Sequence, residues 1–350
     1  MKRFLLTTIL LICIFTLSAT SFRITGYLPS YRLESSERAV GGDVLDISAF
    51  TPTYDAVRHI SQLNLKNSYN TLPPTYQYSS IENWYGENVS DIIYFSIKPA
   101  AEGSLDLSGI KDRDLSRLKN IKHSYGTNLI IAVSGSSELF APIAESEELR
   151  QTFISNLLKF CSAHNFSGID FDWEFPKTES EIDDFSLLIE ESVSLFSAAG
   201  KTVSAAVSRY RPLKQEIYDN LHIINLMAYD FYGRHSTYES AVEAAEYLQI
   251  KYNVLPEKIN LGIPFYGRIY SGLDPQYWTK TMIYSDINDS FTIKTDQDEA
   301  GGYYYNGIDM VKKKTNYAIE NKLRGVMIWE LGQDTLDEFS LLKAIREEIK

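Results

Sequence analysis

The 350-residue sequence predicts an α/β fold, a single-domain (β/α)8 TIM barrel, from three observations. Short apolar runs rich in β-branched and aromatic residues recur along the chain, amphipathic stretches lie between most of them, and no linker separates a second module. Strands that alternate with helices indicate parallel βαβ units. Eight such strands with few polar interior gaps favour closure into a barrel.

The predicted elements follow one another in this alternating order. The strands are predicted at residues 23–28, 91–97, 128–134, 167–174, 202–208, 222–229, 258–264 and 325–330. The helices are predicted at residues 114–123, 149–164, 179–199, 238–252, 307–321 and 335–349. An open doubly wound sheet is the alternative, but it requires a glycine-rich phosphate loop after the first strand, and residues 27–31 contain no glycine.

One long segment interrupts the alternation. About sixty residues, 29–90, separate the first two strands, and they include Pro73, Pro74 and many tyrosines. This is far longer than a usual βα connection with its helix. The stretch at 55–65 has a helical pattern, and the rest is predicted to be a long surface loop beside the carboxyl ends of the strands.

The amino-terminal residues have the layout of a secretory signal peptide. Lys2 and Arg3 precede an apolar run over residues 4–17, and small residues follow it. An uncleaved anchor is the alternative, but the run is short because a membrane-spanning helix needs about 20 residues. We therefore expect residues 1–21 to be a signal peptide, residues 22–350 to form the barrel, and the protein to be secreted or extracytoplasmic.

Charge and cysteine content exclude several classes of function. The chain carries 34 basic and 46 acidic residues, a net charge of −12, and removal of Lys2 and Arg3 leaves 32 against 46, or −14. Such an acidic protein is a poor candidate for binding nucleic acid or an anionic membrane. Only Cys161 remains after signal removal, so no intrachain disulfide is possible, and no Cys/His spacing indicates a metal site or other cofactor.

Three carboxylates on the fourth predicted strand point to catalysis. Because side chains alternate along a strand, Asp170, Asp172 and Glu174 share one face, whereas Phe171 and Trp173 share the other. In a barrel the aromatic face packs outward against helices, so the three acids point inward. Glu174 then lies at the carboxyl end of the strand, where such barrels place their active sites.

A purely structural role for this row is unfavourable. Burying an uncompensated charge costs several kcal/mol, and an apolar residue would fill the same space at lower cost. Neighbouring like charges raise at least one pKa, so we expect Asp170 and Asp172 to titrate as a coupled pair. Glu174, partly desolvated beside them, is expected to stay protonated near neutral pH, as a general acid must.

Five segments, in order along the chain, resemble glycoside hydrolase family 18, the chitinase family. Residues 167–174 resemble its Asp-Gly-x-Asp-x-Asp-x-Glu signature, and residues 24–27 resemble its first strand. Residues 227–230 resemble its Met-x-Tyr-Asp motif on the sixth strand, and residues 262–268 and 325–330 resemble its last two strands. The resemblance covers the chain from residue 23 onward, apart from the long first connection.

The resemblance implies a substrate-assisted retaining mechanism in which the acetamido oxygen of the sugar is the nucleophile. Glu174 is implied to be the proton donor, which protonates the leaving oxygen and then deprotonates the incoming water. Asp172 is implied to accept a hydrogen bond from the acetamido N–H, and Asp170 to tune Asp172. Tyr229 is implied to donate to the acetamido oxygen, and Asp230 to hold the sugar.

The family also implies a set of substrate-binding residues. Trp329 is expected to form the floor on which the sugar ring stacks. Tyr266 and Arg268 are expected to bind neighbouring sugars, Tyr27 to line the pocket, and Met227 to lie with them.

Further aromatic residues and one insertion bear on the shape of the cleft. Trp84, Trp278 and residues 303–305 lie in predicted loops and are candidates to extend a sugar-stacking groove. Many family members carry an extra α+β domain after the seventh strand, but only residues 269–306 are available for it in this chain. We therefore expect a short insertion and a shallower, more open cleft.

Two positions depart from the family pattern. Ser167 occupies the position of the family's first aspartate, and its effect is expected to be tuning rather than loss of activity. The Ser-x-Gly-Gly sequence of the third strand is represented by residues 134–136 with different spacing, so no role is assigned there.

The predicted function is that of a chitinase-like glycosidase that cleaves β-1,4 linkages between N-acetylglucosamine residues. Two alternatives stay open: an endo-β-N-acetylglucosaminidase acting on N-glycan cores, and a non-catalytic, lectin-like chitin-binding protein. Trp173 and residues 266–268 favour the chitinase branch, and intact Glu174, Asp172 and Tyr229 argue against the lectin. The expected partner is chitin or an N-acetylglucosamine oligosaccharide, bound by a monomer without nucleic acid or stable membrane insertion.

Overall fold

The computed structural model describes residues 21–33, 79–270 and 278–349 of the chain. The signal peptide predicted at residues 1–21, except for its last residue, lies outside the described residues. So do the helical pattern at 55–65 and most of the long first connection.

Thirteen strands are found within the described residues. In chain order they are β1 (Arg23–Pro29), β2 (Asp91–Pro99), β3 (Leu105–Asp106), β4 (Asn128–Gly135), β5 (Gly168–Trp173), β6 (Thr202–Val207), β7 (Ile223–Leu226), β8 (Ile259–Pro264), β9 (Tyr266–Tyr270), β10 (Trp278–Ile283), β11 (Glu299–Ala300), β12 (Tyr303–Tyr304) and β13 (Gly325–Trp329).

The described helices connect and cover these strands. They are α1 (Ser79–Asn88), α2 (Asp112–Tyr125), α3 (Ser137–Glu145), α4 (Glu147–His164), α5 (Glu179–Ala198), α6 (Gln215–Asn220), α7 (Tyr238–Tyr252), α8 (Tyr284–Ser290), α9 (Ile308–Glu320) and α10 (Leu341–Glu348).

Eight parallel strands close into the barrel that the sequence predicted. Their order is β1, β13, β8, β7, β6, β5, β4 and β2, and β1 pairs with both β13 and β2. The register aligns Gly26 with Ile328 on one side and Tyr27 with Ile93 on the other. The predicted fold class, a single-domain TIM barrel, is therefore confirmed.

Two apolar clusters lie on either side of the barrel strands. The smaller one, the interior cluster, consists of Tyr27, Ile93, Ile130, Ala132, Tyr229, Tyr266 and Met327. The larger cluster fills the space between strands and helices. In it, Trp173 stacks on Phe140 of α3 with ring centroids 5.0 Å apart, and it meets Phe185 of α5 edge to face. The aromatic face of β5 thus packs outward, as its alternation predicted, and the acidic face is left to the interior.

Close packing at the start of β5 leaves no room for a side chain. A Cβ atom on Gly168 would lie 2.3 Å from the carbonyl oxygen of Thr202 on β6. Glycine at this position therefore permits the backbone approach that sets β5 against β6.

The structure corrects the sequence predictions of several helices, and α6 and α8 are two that were not predicted. The end of the first connection, predicted as loop, is helix α1. Helix α3, which contains Pro142, was not predicted. The final helix begins at Leu341 rather than 335, because the Asp334 carboxylate accepts hydrogen bonds from the N–H groups of Leu341 and Leu342 and thereby fixes its first turn.

The insertion after the seventh barrel strand, β8, forms a small antiparallel sheet. Its strand order is β10, β9, β12 and β11, with α8 between β10 and β11. Arg268 on β9 pairs with both Thr281 and Tyr304. This sheet begins directly after β8 and therefore lies at the carboxyl-end face of the barrel.

Candidate active site

Asp170 and Asp172 of β5, with Glu174 directly after the strand, form a row that runs from the barrel interior to its open end. Asp170 is fully buried, Asp172 is 6% exposed, and Glu174 is exposed. Solvent exposure therefore increases along the row toward the carboxyl end of the strand, because alternate residues project to the same side.

Asp170 is the buried end of the row and is held by three donors. Tyr27 Oη and Ser204 Oγ each donate across 2.5 Å to different oxygens of this carboxylate, and Asn225 Nδ2 donates across 2.8 Å. Asn225 is itself held by Asn260, whose Nδ2 lies 2.9 Å from its Oδ1. Burial raises the pKa of Asp170 to about 6, and the three donors oppose that rise.

Asp172 occupies the middle of the row. Ser134 Oγ on the neighbouring strand β4 donates to its Oδ2 across 2.9 Å. Burial, and then the charges of Glu174 and Asp170, raise the pKa of Asp172 to about 8. The carboxylates of Asp172 and Glu174 therefore titrate together and retain a shared proton near neutral pH.

Glu174 is the outermost member and the one that a ligand can reach. Although the residue is exposed, the protein around its carboxyl desolvates it and raises its pKa, and the charge of Asp230 acts in the same direction. A raised pKa keeps a carboxylic acid protonated closer to neutral pH, which is the state required for proton donation.

Asp230 lies in the turn after β7, and its charge acts on Glu174. Burial favours its neutral form, but contacts with His235, Arg268 and Tyr266 outweigh burial and lower its pKa. Tyr266 Oη donates to Asp230 Oδ1 across 2.7 Å, and Arg268 donates to Oδ2 across 2.7 Å. The site thus contains a fixed carboxylate charge near a protonated carboxyl.

The rings of Tyr27, Phe95 and Trp329 pack together as a floor inside the barrel, next to the buried end of the carboxylate row. Trp329, half-buried at the end of β13, lies 5.2 Å from the ring of Tyr27 and 5.2 Å from that of Phe95. Tyr27 itself is only 1% exposed and its hydroxyl bonds to Asp170. It therefore supports the floor and the carboxylate row from beneath, rather than lining the open pocket as expected from the sequence.

Tyr229 and Met227 complete the interior wall. Met227 is half-buried, packs against the interior cluster, and stands at the end of β7. Tyr229 is buried, and its pKa is raised by burial and then by Tyr266, Asp230 and the nearer carboxylates of the row. The Tyr229 hydroxyl accordingly stays protonated and able to donate a hydrogen bond.

The aromatic residues predicted to extend a groove do not do so where they are described. Tyr303, Tyr304 and Tyr305 are buried, the first two in strand β12. Trp84 lies in helix α1 and packs against the core. These predictions were wrong because a sequence does not distinguish aromatic residues that pack from aromatic residues that bind. The side chain of Trp278 lies outside the described residues.

Ser167, where the family pattern has aspartate, lies just before β5 at the far end from Glu174. Lys122 Nζ donates to its Oγ across 3.0 Å and to the carbonyl oxygen of Asn165 across 2.8 Å. A neutral hydroxyl thus fills a position near a lysine, remote from the exposed end of the row.

Four residues of the site were not predicted from the sequence: Ser134, Ser204, Asn225 and His235. Each of the first three is a single polar side chain on an inward-facing strand position, and that alternation was the available signal. No sequence pattern predicts a role for His235, because it lies in a turn and its proximity to Asp230 depends on the folded conformation of that turn.

The described residues include one cysteine and no arranged set of metal ligands. Within residues 21–33, 79–270 and 278–349, no group of three or more His, Cys, Asp or Glu side chains is arranged to hold a metal ion. Cys161 is buried, and burial raises its pKa to about 12. None of the helices in these same ranges is both long enough and apolar enough to cross a membrane.

The chain matches solved structures over nearly its whole length. The GH18 chitinase ChiB of Flavobacterium johnsoniae is similar with a TM-score of 0.71 and 23% identity, over 94% of both chains. A chitinase from Bacteroides thetaiotaomicron is similar with a TM-score of 0.70 and 20% identity, over 94% of this chain and 97% of that one. At these identities the similarity establishes the fold.

Sequence comparison identifies the family. The Nod factor hydrolase protein 1 of Medicago truncatula is 29% identical over 58% of this chain and 67% of its own length. The class V chitinase CHIT5b of the same plant is 28% identical over 58% and 68%. The model of the glycosyl hydrolases family 18 matches residues 66–334. The chain therefore belongs to glycosyl hydrolase family 18, as its five ordered motifs predicted.

Proposed function

We propose that the protein is a chitinase that hydrolyses β-1,4 linkages between N-acetylglucosamine residues by substrate-assisted retaining catalysis. The observation that carries the proposal is the row of Asp170, Asp172 and Glu174, which runs from full burial to exposure and whose buried end is hydrogen-bonded to Tyr27 of the aromatic floor. The two relatives and the two structural neighbours support the substrate class, because three of the four are chitinases by name and the fourth is a hydrolase.

The chemistry follows from the proton held by the outer two carboxyls. The proton that Asp172 and Glu174 share can reside on Glu174, which leaves Asp172 ionised. As the acetamido oxygen bonds to the anomeric carbon, the bond from that carbon to the leaving oxygen breaks and Glu174 passes its proton to that oxygen. An ionised Asp172 then accepts a hydrogen bond from the acetamido N–H and stabilises the positive charge that develops on the sugar. Glu174, now a carboxylate, accepts the proton of the attacking water.

The remaining residues orient the sugar. The protonated hydroxyl of Tyr229 is available to the acetamido oxygen, and Trp329 offers its ring to the apolar face of the sugar. Asp230 is ionised and held by Tyr266 and Arg268, so it adds negative charge near an intermediate that carries positive charge. Asp170 modulates Asp172 by charge, because its ionisation raises the pKa of Asp172.

Product analysis tests the proposal. Mass spectrometry of defined N-acetylglucosamine oligomers incubated with the protein should show shorter oligomers, and proton NMR at early times should show the β-anomer at the new reducing end. Intact oligomers, or an α-anomeric product, would contradict it. A broad range of products is expected from an open cleft, and strongly processive dimer release would argue against that cleft.

A parallel assay distinguishes the alternatives. Cleavage of a high-mannose glycopeptide in preference to chitotetraose would identify an endo-β-N-acetylglucosaminidase. Binding of chitotetraose without cleavage would identify a lectin-like protein. The intact Glu174 and its raised pKa favour cleavage over binding alone.

We also propose that the protein is exported and acts as a monomer. The support for export is the sequence of residues 1–21, which has the order of a signal peptide. Amino-terminal sequencing of protein recovered outside the cytoplasm should begin near residue 22, and light scattering should give the mass of one chain. A retained Met1, or the mass of a dimer, would overturn the respective proposal.

A further inference from the structure

A buried histidine lies beside Asp230 in the turn that follows β7. His235 has no exposed surface, and its ring stacks on Tyr266 with centroids 5.2 Å apart and planes 28° apart. Its Nδ1 lies 3.4 Å from Asp230 Oδ1. A second ring, that of Tyr304 on β12, meets it edge to face at 6.1 Å. The imidazole is thus fixed on two sides with one nitrogen close to the carboxylate.

The turn that carries both residues is strained at Asp230 and is closed by a backbone hydrogen bond. Asp230 has a φ of 59°, in the left-handed region that a residue other than glycine seldom adopts. The N–H of Phe231 donates to the carbonyl oxygen of His235 across 2.9 Å. Such a conformation persists only where the surroundings fix it.

A fully buried lysine, Lys314, helps to hold this turn in place. Lys314 of α9 donates from Nζ to the carbonyl oxygen of Ser236 at 2.9 Å, to Ser236 Oγ at 2.7 Å and to Asn306 Oδ1 at 2.7 Å. Asn306 Nδ2 in turn donates to the Ser236 carbonyl oxygen across 2.7 Å. These bonds hold the residue next to His235, and burying a polar lysine is costly unless its hydrogen bonds are satisfied.

The pKa shifts of His235 and Asp230 are consistent with a fixed contact between the two side chains. The titratable and charged groups that face His235 are Asp230 in its own turn, Tyr266 and Arg268 on β9, Tyr304 on β12 and Lys314 on α9. Burial lowers the pKa of His235, although the hydrogen-bonding and charge interactions with Asp230 oppose this. We expect a neutral imidazole beside an ionised carboxylate to carry its proton on Nδ1, the nitrogen that faces the carboxylate.

We propose that His235 is a positioning residue that orients the Asp230 carboxylate toward Glu174, and that Lys314 holds the turn that carries both. The inference rests on the function proposed above, in which Asp230 and Glu174 face the same sugar. The position of Asp230 also affects proton donation by Glu174, because the charge of Asp230 raises the pKa of Glu174. A displaced Asp230 would both lose its contact with the sugar and let Glu174 ionise at lower pH.

Two substitutions separate positioning from packing. His235→Phe keeps a ring against Tyr266 but removes the donor, whereas His235→Asn keeps a donor near the Nδ1 position and removes most of the ring. The control is His123→Asn, which changes an exposed histidine on α2. The assay measures kcat, KM and the pH profile of kcat/KM on chitotetraose, with thermal unfolding as a check on folding.

A positioning role predicts different results for the two variants. His235→Phe should lose about tenfold in kcat/KM, as expected for loss of the 3.4 Å polar contact between Nδ1 and Asp230, and the alkaline limb of its pH profile should move to lower pH. His235→Asn should stay within about threefold of wild type in kcat/KM, because its amide can keep a polar contact with Asp230. An unchanged phenylalanine variant, or equal losses in both variants in proportion to their thermal destabilisation, would overturn the inference.

A second readout does not depend on catalysis. Nitrogen-15 NMR of the imidazoles should show His235 protonated on Nδ1, and Asp230→Asn should change its titration midpoint. If wild type fails to cleave chitotetraose, the proposed function fails while this readout still tests the contact. A His235 signal that is insensitive to Asp230→Asn would overturn the contact itself.

Discussion

The stability of the Asp170→Asn variant relative to wild type should increase between pH 4 and neutral pH. The wild-type carboxyl is fully buried and its pKa is raised from 3.8 to about 6. The folded protein therefore holds a proton on Asp170 over a pH range in which the unfolded chain has released it. Stability from this group is present below pH 4 and is lost as the pH rises through about 6.

The magnitude follows from the size of the shift. A rise of about two pKa units, from 3.8 to about 6, corresponds to about 3 kcal/mol of unfolding free energy. The asparagine variant does not ionise, so it lacks this loss. Its amide oxygen can still accept from Ser204 and Asn225, and the Tyr27 hydroxyl can rotate to accept from the new amide N–H.

Urea unfolding of wild type and variant at pH 4, 5, 6 and 7 measures the effect. The difference in unfolding free energy between the two proteins should grow by about 2.4 kcal/mol in favour of the variant between pH 4 and pH 7, because part of the full effect is already present at pH 4. Asp296→Asn, at an exposed position, provides the control and should give a difference that stays constant. The reasoning is refuted if the Asp170→Asn difference is equally constant.

Two further substitutions test neighbouring contacts of the same strand. Ser134→Ala removes the donor that lowers the pKa of Asp172, so that pKa should rise, and the alkaline limb of the kcat/KM profile should move to higher pH. A movement to lower pH would contradict this. Trp173→Phe removes the 3.1 Å hydrogen bond from Nε1 to Ser137 Oγ and should lower the unfolding free energy by about 1–2 kcal/mol in urea titrations. An unchanged midpoint would show that this bond contributes nothing.

Periodicity was enough to predict the barrel. All eight barrel strands were predicted, because a strand covered by helices is an apolar run that can be recognised in the sequence alone. The inward direction of Asp170, Asp172 and Glu174 followed from alternation and from Trp173 needing an apolar environment. Helix α3 was missed because it is short and contains Pro142, which argues against a helix interior.

The support of the site was harder to predict than its acids. Ser134 and Asn225 are single polar residues whose partners come from other strands, at separations of 38 and 55 residues. His235 depends on a turn whose conformation is fixed by Lys314, 78 residues beyond Ser236. The sequence identifies residues with acidic or polar side chains, but contacts between residues so far apart in the chain form only when the barrel closes.

The central claim is that Glu174 supplies the proton for glycosidic cleavage, and the rate of chitotetraose hydrolysis by Glu174→Gln tests it most directly. Glutamine keeps the shape and can bind the sugar but cannot donate a proton, so kcat should fall by about 10²–10⁴-fold while oligosaccharide binding persists. Glu190→Gln, at an exposed position on α5, should cleave like wild type. A Glu174→Gln protein that hydrolyses chitotetraose at the wild-type rate would contradict the account.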